Sequence, residues 1–349
     1  MRWQTTEQIA TIPMRTVGPI KIIGTEVNDD VMVPMATYET PLWPSTHRGA
    51  RVCSAAGGIR AVVIDERMTR SILFETDSVI ETQQALVKLN EYKETMKAMV
   101  AETSRFARLI DFHTQIIGNL IYIRFEYTTG DASGHNMVTL ASQHLLEWLL
   151  TKIPALKYVS LSGNYCTDKK VSAVNGILGR GKNVVAEVTI PKQLCHRYLK
   201  TTAQKIVEIN LKKNLIGNVI AGGVFSANAH FANMLLGIYL ATGQDAANIV
   251  EGSQGLVYAE ARNDDLYFSV TLPNIIVGTV GNGKTYDFVR ENLKMMGCLE
   301  KREPGQNARR LAIIVAAAVL CGELSLLAAL TNPGELMESH VKFERQKEG

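Results

Sequence analysis

The sequence predicts an α+β protein in which a small ferredoxin-like domain is inserted into a large mixed α/β domain. The first observation is the order of elements over residues 59–159, where strand, helix, two strands, helix and strand follow one another, as in the split-βαβ plan. The second is the character of the flanking segments, 1–58 and 160–349, which are expected to form the large domain: the chain from Ser162 onward mixes strands with Ala- and Leu-rich helices. At 349 residues the chain is long enough for about two domains.

Local patterns predict each element of the small domain. Asp77 is a suitable N-cap for a long helix in which apolar residues recur at near-helical spacing. Gly118-Asn119 predicts a hairpin, and Pro154 ends the second helix. The predicted elements, in order, are a strand over 59–64, a helix over 78–101, two strands flanking Gly118-Asn119, a helix over 133–152 and a strand over 158–161.

The flanking segments are less regular. Residues 1–58 are expected to be strand and loop, and further strands are predicted over 183–190 and 266–271. The most apolar stretch is Leu311–Leu330, which carries Glu323 near its centre. A membrane span needs roughly 20 predominantly apolar residues. We therefore expect this stretch to be a buried helix or helix pair.

Composition excludes several classes of protein. The formal charge of +3 is small and the basic residues are dispersed, which argues against a nucleic-acid partner. The five cysteines are widely spaced without a CxxC pair, so neither a disulfide framework nor a thiolate metal site is predicted. The N-terminus lacks the apolar core of a signal peptide. A soluble cytoplasmic protein without a membrane anchor or a metal is expected.

The first polar segment is PMATYETPLWPSTHRG, residues 34–49. Glu39 lies in an otherwise uncharged stretch, and Ser45, His47 and Arg48 follow it. A carboxyl among apolar neighbours has a raised pKa and can act as an acid near neutral pH. The segment alone is equally compatible with a surface glutamate.

The second is LSGNYCTDKK, residues 161–170. Asp168, Lys169 and Lys170 follow a Ser-Gly-Asn turn, which places two ammonium groups on one loop. One ammonium could neutralise a substrate carboxylate while the other stabilises a developing oxyanion. The alternative is a solvated run of charges.

The third segment, residues 217–248, runs from a glycine-rich lead into a helix. His230 and Asn233 are three residues apart and share a helical face, and Asp245 follows Gly243-Gln244. These polar groups in an apolar helix indicate a site. A single histidine that is hydrogen-bonded within the core is the alternative.

Two glycine-containing segments could hold a nucleotide. In DASGHN, residues 131–136, a glycine lies where a loop meets a helix, and free N–H groups at a helix N-terminus suit a pyrophosphate. The segment GTVGNG, residues 278–283, has the same possible use or is simply a turn. Neither is the Rossmann GxGxxG fingerprint, and the βαββαβ order is not Rossmann either.

Together these segments resemble the motif set of the 3-hydroxy-3-methylglutaryl-CoA (HMG-CoA) reductase family, over residues 12–345. The specific pieces are PMAT-x-E, SGNYCTDKK, NAH-xx-N followed by GQDAA, DLY-x₅-P-x₄-GTVG, and GELSLLAAL followed by Ser-His. SGNYCTDKK together with LKTT at 199–202 is closer to the class I form of eukaryotes and archaea.

The resemblance implies an NADPH-dependent reduction of HMG-CoA to mevalonate and free CoA through two hydride transfers, in isoprenoid biosynthesis. Lys169 would stabilise the oxyanion, Glu39 would donate a proton, and Asp245 would hold the Lys169 and Glu39 network together. His340 would protonate the departing CoA thiolate, because histidine titrates near neutral pH.

The resemblance also assigns binding residues and an assembly. Arg345 would contact the 2′-phosphate, which favours NADPH over NADH. The active site would form at the interface of a homodimer, or of a dimer of such dimers. Implied substrate and CoA ligands are Ser45, His47, Arg48, Arg70, Ser162, Asp168, Lys170, Lys213, His230 and Asn233. Implied cofactor ligands are Ser104, Arg105, Asp131, Ser133, Gly134, His135, Asn136, Val280, Gly281 and Arg345.

Two segments depart from the family pattern. Around Glu39 the chain reads ETPLWPS where EGxLVAS is usual, and Ser133 and His135 replace apolar residues. These differences keep open a paralogous reductase of another short acyl-CoA thioester. A non-catalytic CoA- or nucleotide-binding protein is a third hypothesis, since fold does not imply function.

Overall fold

A computed structural model describes residues 9–344, with the backbone alone for Glu344. Its strands belong to one branched sheet that runs through the chain. They are β1 (Met14–Ile23), β2 (Asn28–Ala36), β3 (Ile59–Glu75), β4 (Arg108–Ile117), β5 (Leu120–Thr128), β6 (Lys157–Ser160), β7 (Gly181–Ile190), β8 (Ser226–Ala227), β9 (Gly255–Arg262) and β10 (Asp265–Ile275).

The helices cover both parts of the sheet. They are α1 (Leu42–Ala55), α2 (Val79–Glu91), α3 (Lys93–Thr103), α4 (His135–Lys152), α5 (Ala173–Leu178), α6 (Lys192–Leu194), α7 (Ala203–Ile209), α8 (Gly217–Ile220), α9 (Phe231–Ala241), α10 (Ile249–Gly252), α11 (Asp287–Met295), α12 (Gln306–Leu330) and α13 (Glu335–Glu344). Two π-helical segments, Cys195–Leu199 and Asn210–Ile216, and a 3₁₀ turn, Ala246–Asn248, complete the described structure.

The long strand β3 joins the two parts of the sheet. Its first half pairs with β7 in the path β2-β1-β3-β7-β10-β9-β8. Its second half pairs with β5 and β6, and β4 pairs with β5, so this part has the order β4-β5-β3-β6 with antiparallel neighbours. The mixed α+β class is confirmed. The division into a large domain and an inserted small domain stays a prediction.

The prediction of a short strand over 59–64 was wrong in length. The strand continues to Glu75 because the charged residues after Ile64 pair across strands. Glu66 lies 3.1 Å from the Lys182 ammonium on β7, and Arg67 lies 2.5 Å from Glu126 on β5. In the sequence these charges resemble the end of a strand.

The predicted single helix over 78–101 is two helices, α2 and α3, which meet at Tyr92. The Tyr92 ring packs edge-on against Trp148 of α4, with 5.1 Å between ring centroids. The N-cap is Ser78 and not Asp77, because the Ser78 hydroxyl accepts the N–H of Glu81 at 3.3 Å.

Residues 1–58 were expected to be strand and loop, but α1 occupies 42–55. Pro41 is its N-cap and Pro44 lies in its first turn, where a missing N–H breaks no helical hydrogen bond. A Cβ at Gly49 would lie 2.0 Å from the carbonyl oxygen of Cys321 in α12. A glycine therefore lets α1 and α12 pack with their backbones in contact.

The apolar stretch 311–330 lies within one helix, α12, and not in a pair. Among the described residues it is the one helix long and apolar enough to cross a membrane, yet 94% of its most apolar window is buried inside the protein. The main core forms around it, between α1, α9 and the larger part of the sheet. A separate core lies under α2, α3 and α4.

Candidate active site

The predicted catalytic residues lie in two clusters, beyond opposite ends of α9. Glu39 and His340 line a cavity of about 410 Å³, which we call the acid pocket. Lys169 and Asp245 form an ion pair near the other end of the helix. Neither Lys169 nor Asp245 lines the acid pocket; Asn233, in the first turn of α9, lines it, whereas Asp245 lies beyond the C-terminal end of this helix.

In the acid pocket, Asn233 holds Glu39. Its side-chain amide donates to Glu39 Oε2 at 2.9 Å and lies 3.3 Å from His230 Nδ1. The other ring nitrogen of His230 lies 3.0 Å from the carbonyl oxygen of Gly322 and must donate to it. His230 Nε2 therefore carries a proton, and the Asn233 amide lies between His230 Nδ1 and Glu39.

The N-terminus of α9 is held by a carboxylate from α12. Glu323 is fully buried and accepts the backbone N–H groups of Ala229 and His230, the latter at 3.0 Å. Burial raises the pKa of Glu323, whereas His230 and the two N–H groups oppose that rise. Glu323, which interrupts the apolar stretch in the sequence, thus positions His230 and Asn233.

Helix α13 places His340 over the acid pocket, and Arg48 of α1 anchors this helix. The Arg48 guanidinium pairs with Glu335 and donates to the carbonyl oxygen of Ser325 at 2.6 Å. Burial opposes ionisation of Glu335, but the Arg48 hydrogen bond lowers its pKa overall. The Ser45 hydroxyl donates a hydrogen bond to the Ser325 hydroxyl at 3.0 Å. His47 is exposed and lines a neighbouring cavity.

In the second cluster, the Lys169 ammonium lies 2.7 Å from Asp245 Oδ2. The hydrogen bond that the Lys169 ammonium donates to Asp245 raises the pKa of Lys169, which keeps this lysine charged at neutral pH. Partial burial opposes ionisation of Asp245, but Lys169 and the N–H of Ala247 lower its pKa overall. The side chains of the pair are about two-fifths exposed, at 41% and 43%, so Lys169 is open to an incoming ligand.

The neighbouring residues of loop 161–170 differ in their surroundings. Asp168 Oδ1 is 3.0 Å from the buried Arg180 guanidinium and 3.9 Å from His135 Nε2. Burial and the charge of Arg180 lower the pKa of His135, against the effect of Asp168 and Asp245. Lys170 donates to the Asp168 carbonyl oxygen at 3.1 Å, and Ser162 is exposed.

The two remaining predicted substrate cations differ in their surroundings. Arg70 of β3 has a buried Nε with no hydrogen-bond partner in the described part of the chain. A buried unpaired guanidinium N–H costs free energy unless a ligand accepts it, which suits a substrate carboxylate. Lys213 lies on the π-helical segment, contacts Asn214 at 3.2 Å and lines a separate shallow cavity.

The two glycine segments line one cavity of about 550 Å³, which we call the glycine cleft. An isolated bridge pairs Ala132 with Val280 and brings the segments together. Gly134, at φ +95°, begins α4, and a Cβ there would lie 2.4 Å from Thr129 Cγ2. The cleft is lined by Ser133, Gly134, His135, Asn136, Asp245, Val280, Gly281 and Lys284, among others.

Gln244 connects the cleft to the lysine cluster. Its side-chain amide donates to the Gly278 carbonyl and accepts the Gly278 N–H, both at 3.0 Å. Asp245, the next residue, both lines the cleft and pairs with Lys169. A ligand in the glycine cleft would therefore reach the Lys169 ammonium.

Three predicted cofactor ligands have other places in the fold. The Asp131 carboxylate accepts N–H groups of Gly305 and Ala308, at 3.0 and 2.9 Å, and so caps α12. The Ser104 hydroxyl accepts two N–H groups in the turn before β4, and Arg105 is exposed over Phe106. Arg345 lies outside the described residues.

Five charged side chains that line these sites or hold their residues were not predicted from the sequence: Lys284, Arg180, Glu251, Glu323 and Glu335. Lys284 follows the second glycine segment directly, and its ammonium donates to the Gly243 carbonyl at 2.5 Å. Burial lowers the pKa of Lys284 to about 8. A lysine directly after a glycine loop was a usable signal. Glu323 was visible as a carboxylate within the apolar stretch, whereas Arg180, Glu251 and Glu335 gave no signal, because their charged partners are distant in the sequence.

The chain is similar to known proteins over nearly its whole length. The sequence model of the family described as hydroxymethylglutaryl-coenzyme A reductase matches residues 8–345. The 3-hydroxy-3-methylglutaryl-coenzyme A reductase of Aeropyrum pernix is 44% identical over 336 residues, covering 96% of this chain and 79% of that protein. The enzyme of the same name from Methanothermobacter thermautotrophicus is 42% identical over 338 residues, covering 97% and 83%.

A solved structure has the same fold. The class II 3-hydroxy-3-methylglutaryl-CoA reductase of Streptococcus pneumoniae, bound to NADPH in open conformations, superposes with a TM-score of 0.75 and 18% identity. The match covers 94% of this chain and 87% of that one. At this identity the likeness concerns the fold.

Proposed function

Because the chain belongs to the hydroxymethylglutaryl-coenzyme A reductase family, we propose that it reduces HMG-CoA to mevalonate and free CoA with NADPH, in the mevalonate pathway. The chain is an oxidoreductase of this family. The observation that carries the proposal is the Lys169–Asp245 ion pair at 2.7 Å, whose carboxylate also lines the glycine cleft. A charged ammonium beside a cofactor cleft is the arrangement that carbonyl reduction needs.

Lys169 stabilises the negative charge that develops on the substrate oxygen. Its pKa is raised by Asp245, so it is an ammonium throughout the neutral range and remains a hydrogen-bond donor. Asp245 orients it without blocking it, because both side chains remain partly exposed. This preorganised charge lowers the barrier to hydride addition at the carbonyl carbon.

Glu39 and His340 supply protons on the other side of the substrate. Asn233 donates to Glu39 Oε2, which fixes that oxygen and leaves Oε1 for the substrate. His340 lines the same pocket on α13, where it can protonate the CoA sulfur. The Arg48–Glu335 pair holds α13 against α1 and thereby sets the height of His340 above the pocket.

The glycine cleft fits a dinucleotide. NADPH supplies the hydride when bound. The backbone N–H groups at the start of α4 face an incoming phosphate, and Gly134 leaves space that a Cβ would fill. Lys284 adds a positive charge to the cleft. Ser133, His135, Asn136, Val280 and Gly281 also line the cleft and would be further contacts of the cofactor.

A homodimer completes the site in this proposal. Glu39 and His340 line the acid pocket, whereas Asp245, the partner of Lys169, lines the glycine cleft. A second copy related by a two-fold axis can bring the acid pocket of one chain to the glycine cleft of the other. An apolar face is available beside Lys213, where Leu215, Ile216, Val219 and Ile220 are 40–82% exposed. A tetramer would be two such dimers.

The proposal is tested by following NADPH absorbance with HMG-CoA, beside NADH and acetyl-CoA as controls. We expect about two NADPH to be consumed per HMG-CoA, with mevalonate as the product, because a thioester-to-alcohol reduction takes two hydrides. Absence of oxidation by folded protein that binds CoA would contradict it. Faster oxidation with another short acyl-CoA would favour the paralogous reductase, to which Ser133 and His135 in the cleft point.

A further inference from the structure

Lys169 is held at two points by one short segment of chain. Its ammonium pairs with Asp245 at 2.7 Å, and its backbone N–H donates to Glu251 Oε1 at 3.1 Å. Asp245 and Glu251 are six residues apart, across the 3₁₀ turn and α10. The position of Lys169 therefore depends on where this segment holds Glu251.

The loop around Lys169 needs such support. Asn164, Thr167 and Lys169 have φ of +61°, +47° and +55°, a left-handed conformation that residues with a Cβ rarely adopt. Such conformations persist when the surroundings impose them. The hydrogen bond from Lys169 to Glu251 is one of those surroundings.

Glu251 is itself fixed by buried polar groups. It is 0% exposed, and Oε1 also accepts from Arg180 at 2.8 Å and from Asn248 at 3.0 Å. Burial raises the pKa of Glu251, and the charge of Arg180 opposes that rise. Arg180, 1% exposed, extends its other terminal nitrogen to Asp168 Oδ1 at 3.0 Å. The pair thus holds both Asp168 and Lys169.

We infer that the buried Arg180–Glu251 pair is a positioning device for Lys169. It acts through the backbone N–H of Lys169 and the Asp168 carboxylate, without touching the substrate. The inference rests on the proposed role of Lys169 in HMG-CoA reduction. Neither residue belongs to the segments from which the sequence predicted the site.

The central test is the double variant Arg180→Met/Glu251→Leu. Removing one buried charge alone can prevent folding, whereas replacing both with apolar side chains of similar volume preserves charge balance. We expect near-normal thermal stability and an unchanged Kd for NADPH, with kcat lowered about 100-fold because the Lys169 N–H has lost its acceptor. If the pair served only to stabilise the fold, a stably folded double variant would have a normal kcat, and that result would overturn the inference.

Two matched variants accompany the double one. Glu251→Gln keeps an oxygen at the Oε1 position and leaves the Arg180 charge paired with Asp168 at 3.0 Å, so it should fold and retain most of kcat. Glu260→Gln removes a carboxylate from the exposed Arg262–Glu260 pair, 2.8 Å apart, and should leave kcat unchanged. An equal loss of kcat in Glu251→Gln and in the double variant would contradict a role through the hydrogen-bond acceptor.

Hydrogen exchange gives a readout that does not require turnover. The Lys169 amide should exchange slowly in the wild type and in Glu251→Gln, and rapidly in the double variant. Exchange of this amide at the random-coil rate in the wild type would overturn the inference even if the double variant cannot be folded. Slow exchange in a wild-type protein that does not reduce HMG-CoA would instead contradict the proposed function and leave the positioning intact.

Discussion

At the scale of single residues, we propose that Lys169 carries the chemistry. Lys169→Met should lower kcat by on the order of 10²–10³-fold, because removing one preorganised oxyanion donor has effects of that size. The assay is NADPH oxidation at saturating HMG-CoA. The control is Lys170→Met, which removes the neighbouring ammonium and should raise the KM for HMG-CoA more than it lowers kcat. Near-normal turnover by Lys169→Met would show that Lys169 does not stabilise the oxyanion.

Lys284 makes stability depend on pH. Burial lowers its folded pKa from 10.5 to about 8, so between these values the unfolded chain binds more protons. The free energy of unfolding should therefore rise from pH 8 to pH 10, by on the order of 1 kcal/mol because some solvent contact remains. Denaturant titration of Lys284→Met should show a flatter pH dependence. Lys294→Met, at an exposed position, should show the same pH dependence of the free energy of unfolding as the wild type. If the free energy of unfolding of Lys284→Met rose by as much as that of the wild type, this account would be contradicted.

The sequence identified residues that carry chemistry better than those that hold them. Glu39, Lys169, Asp245 and His340 lie in short motifs that a single chain displays. Asn233 was expected to bind substrate, and it contacts Glu39. Arg180 and Glu251 lie 71 residues apart, so no local pattern could pair them. Asp131 had the sequence context of a cofactor ligand, but only the fold reveals that it caps α12.

At the scale of elements, the contact between α1 and α12 places the acid pocket. Gly49→Ala should destabilise the protein by about 3 kcal/mol or more, because its Cβ would lie 2.0 Å from a backbone oxygen of α12. Gly217→Ala is the matched control, since its φ is −59° and its nearest neighbour would be 3.7 Å away. It should change stability by less than about 1 kcal/mol. Equal denaturation midpoints for the two variants would contradict close packing at Gly49.

Periodic elements were predictable and junctions were not. α4 and β5 were anticipated because their apolar residues repeat at the helical or strand period. α1 was missed because two prolines flank its start, and prolines indicate loops unless they occupy the first helical turn. β3 was predicted too short because its charged half pairs with β5 and β7. In both elements, α1 and β3, contacts with parts of the chain that are distant in the sequence determined the structure.

At the scale of the whole molecule, we propose that the described chain carries two half-sites. One holds an acid and a histidine, and the other holds an ammonium and a cofactor cleft. No motif in the sequence indicated this separation, because it depends on the length and direction of α9. The family resemblance alone led to the prediction of a shared site. The geometry gives that prediction a physical reason.

The central claim is that one complete site needs both half-sites, each from a different copy of the chain. It is tested by mixing two inactive variants, Glu39→Gln and Lys169→Met, after verifying that mixed dimers form. When the two variants are mixed in equal amounts, about half of the dimers contain one chain of each kind. In such a dimer one of the two sites combines an intact Glu39 with an intact Lys169, so about one quarter of wild-type HMG-CoA reduction should return. Mixed dimers that stay inactive would show that the four catalytic residues act within one chain and would contradict the account.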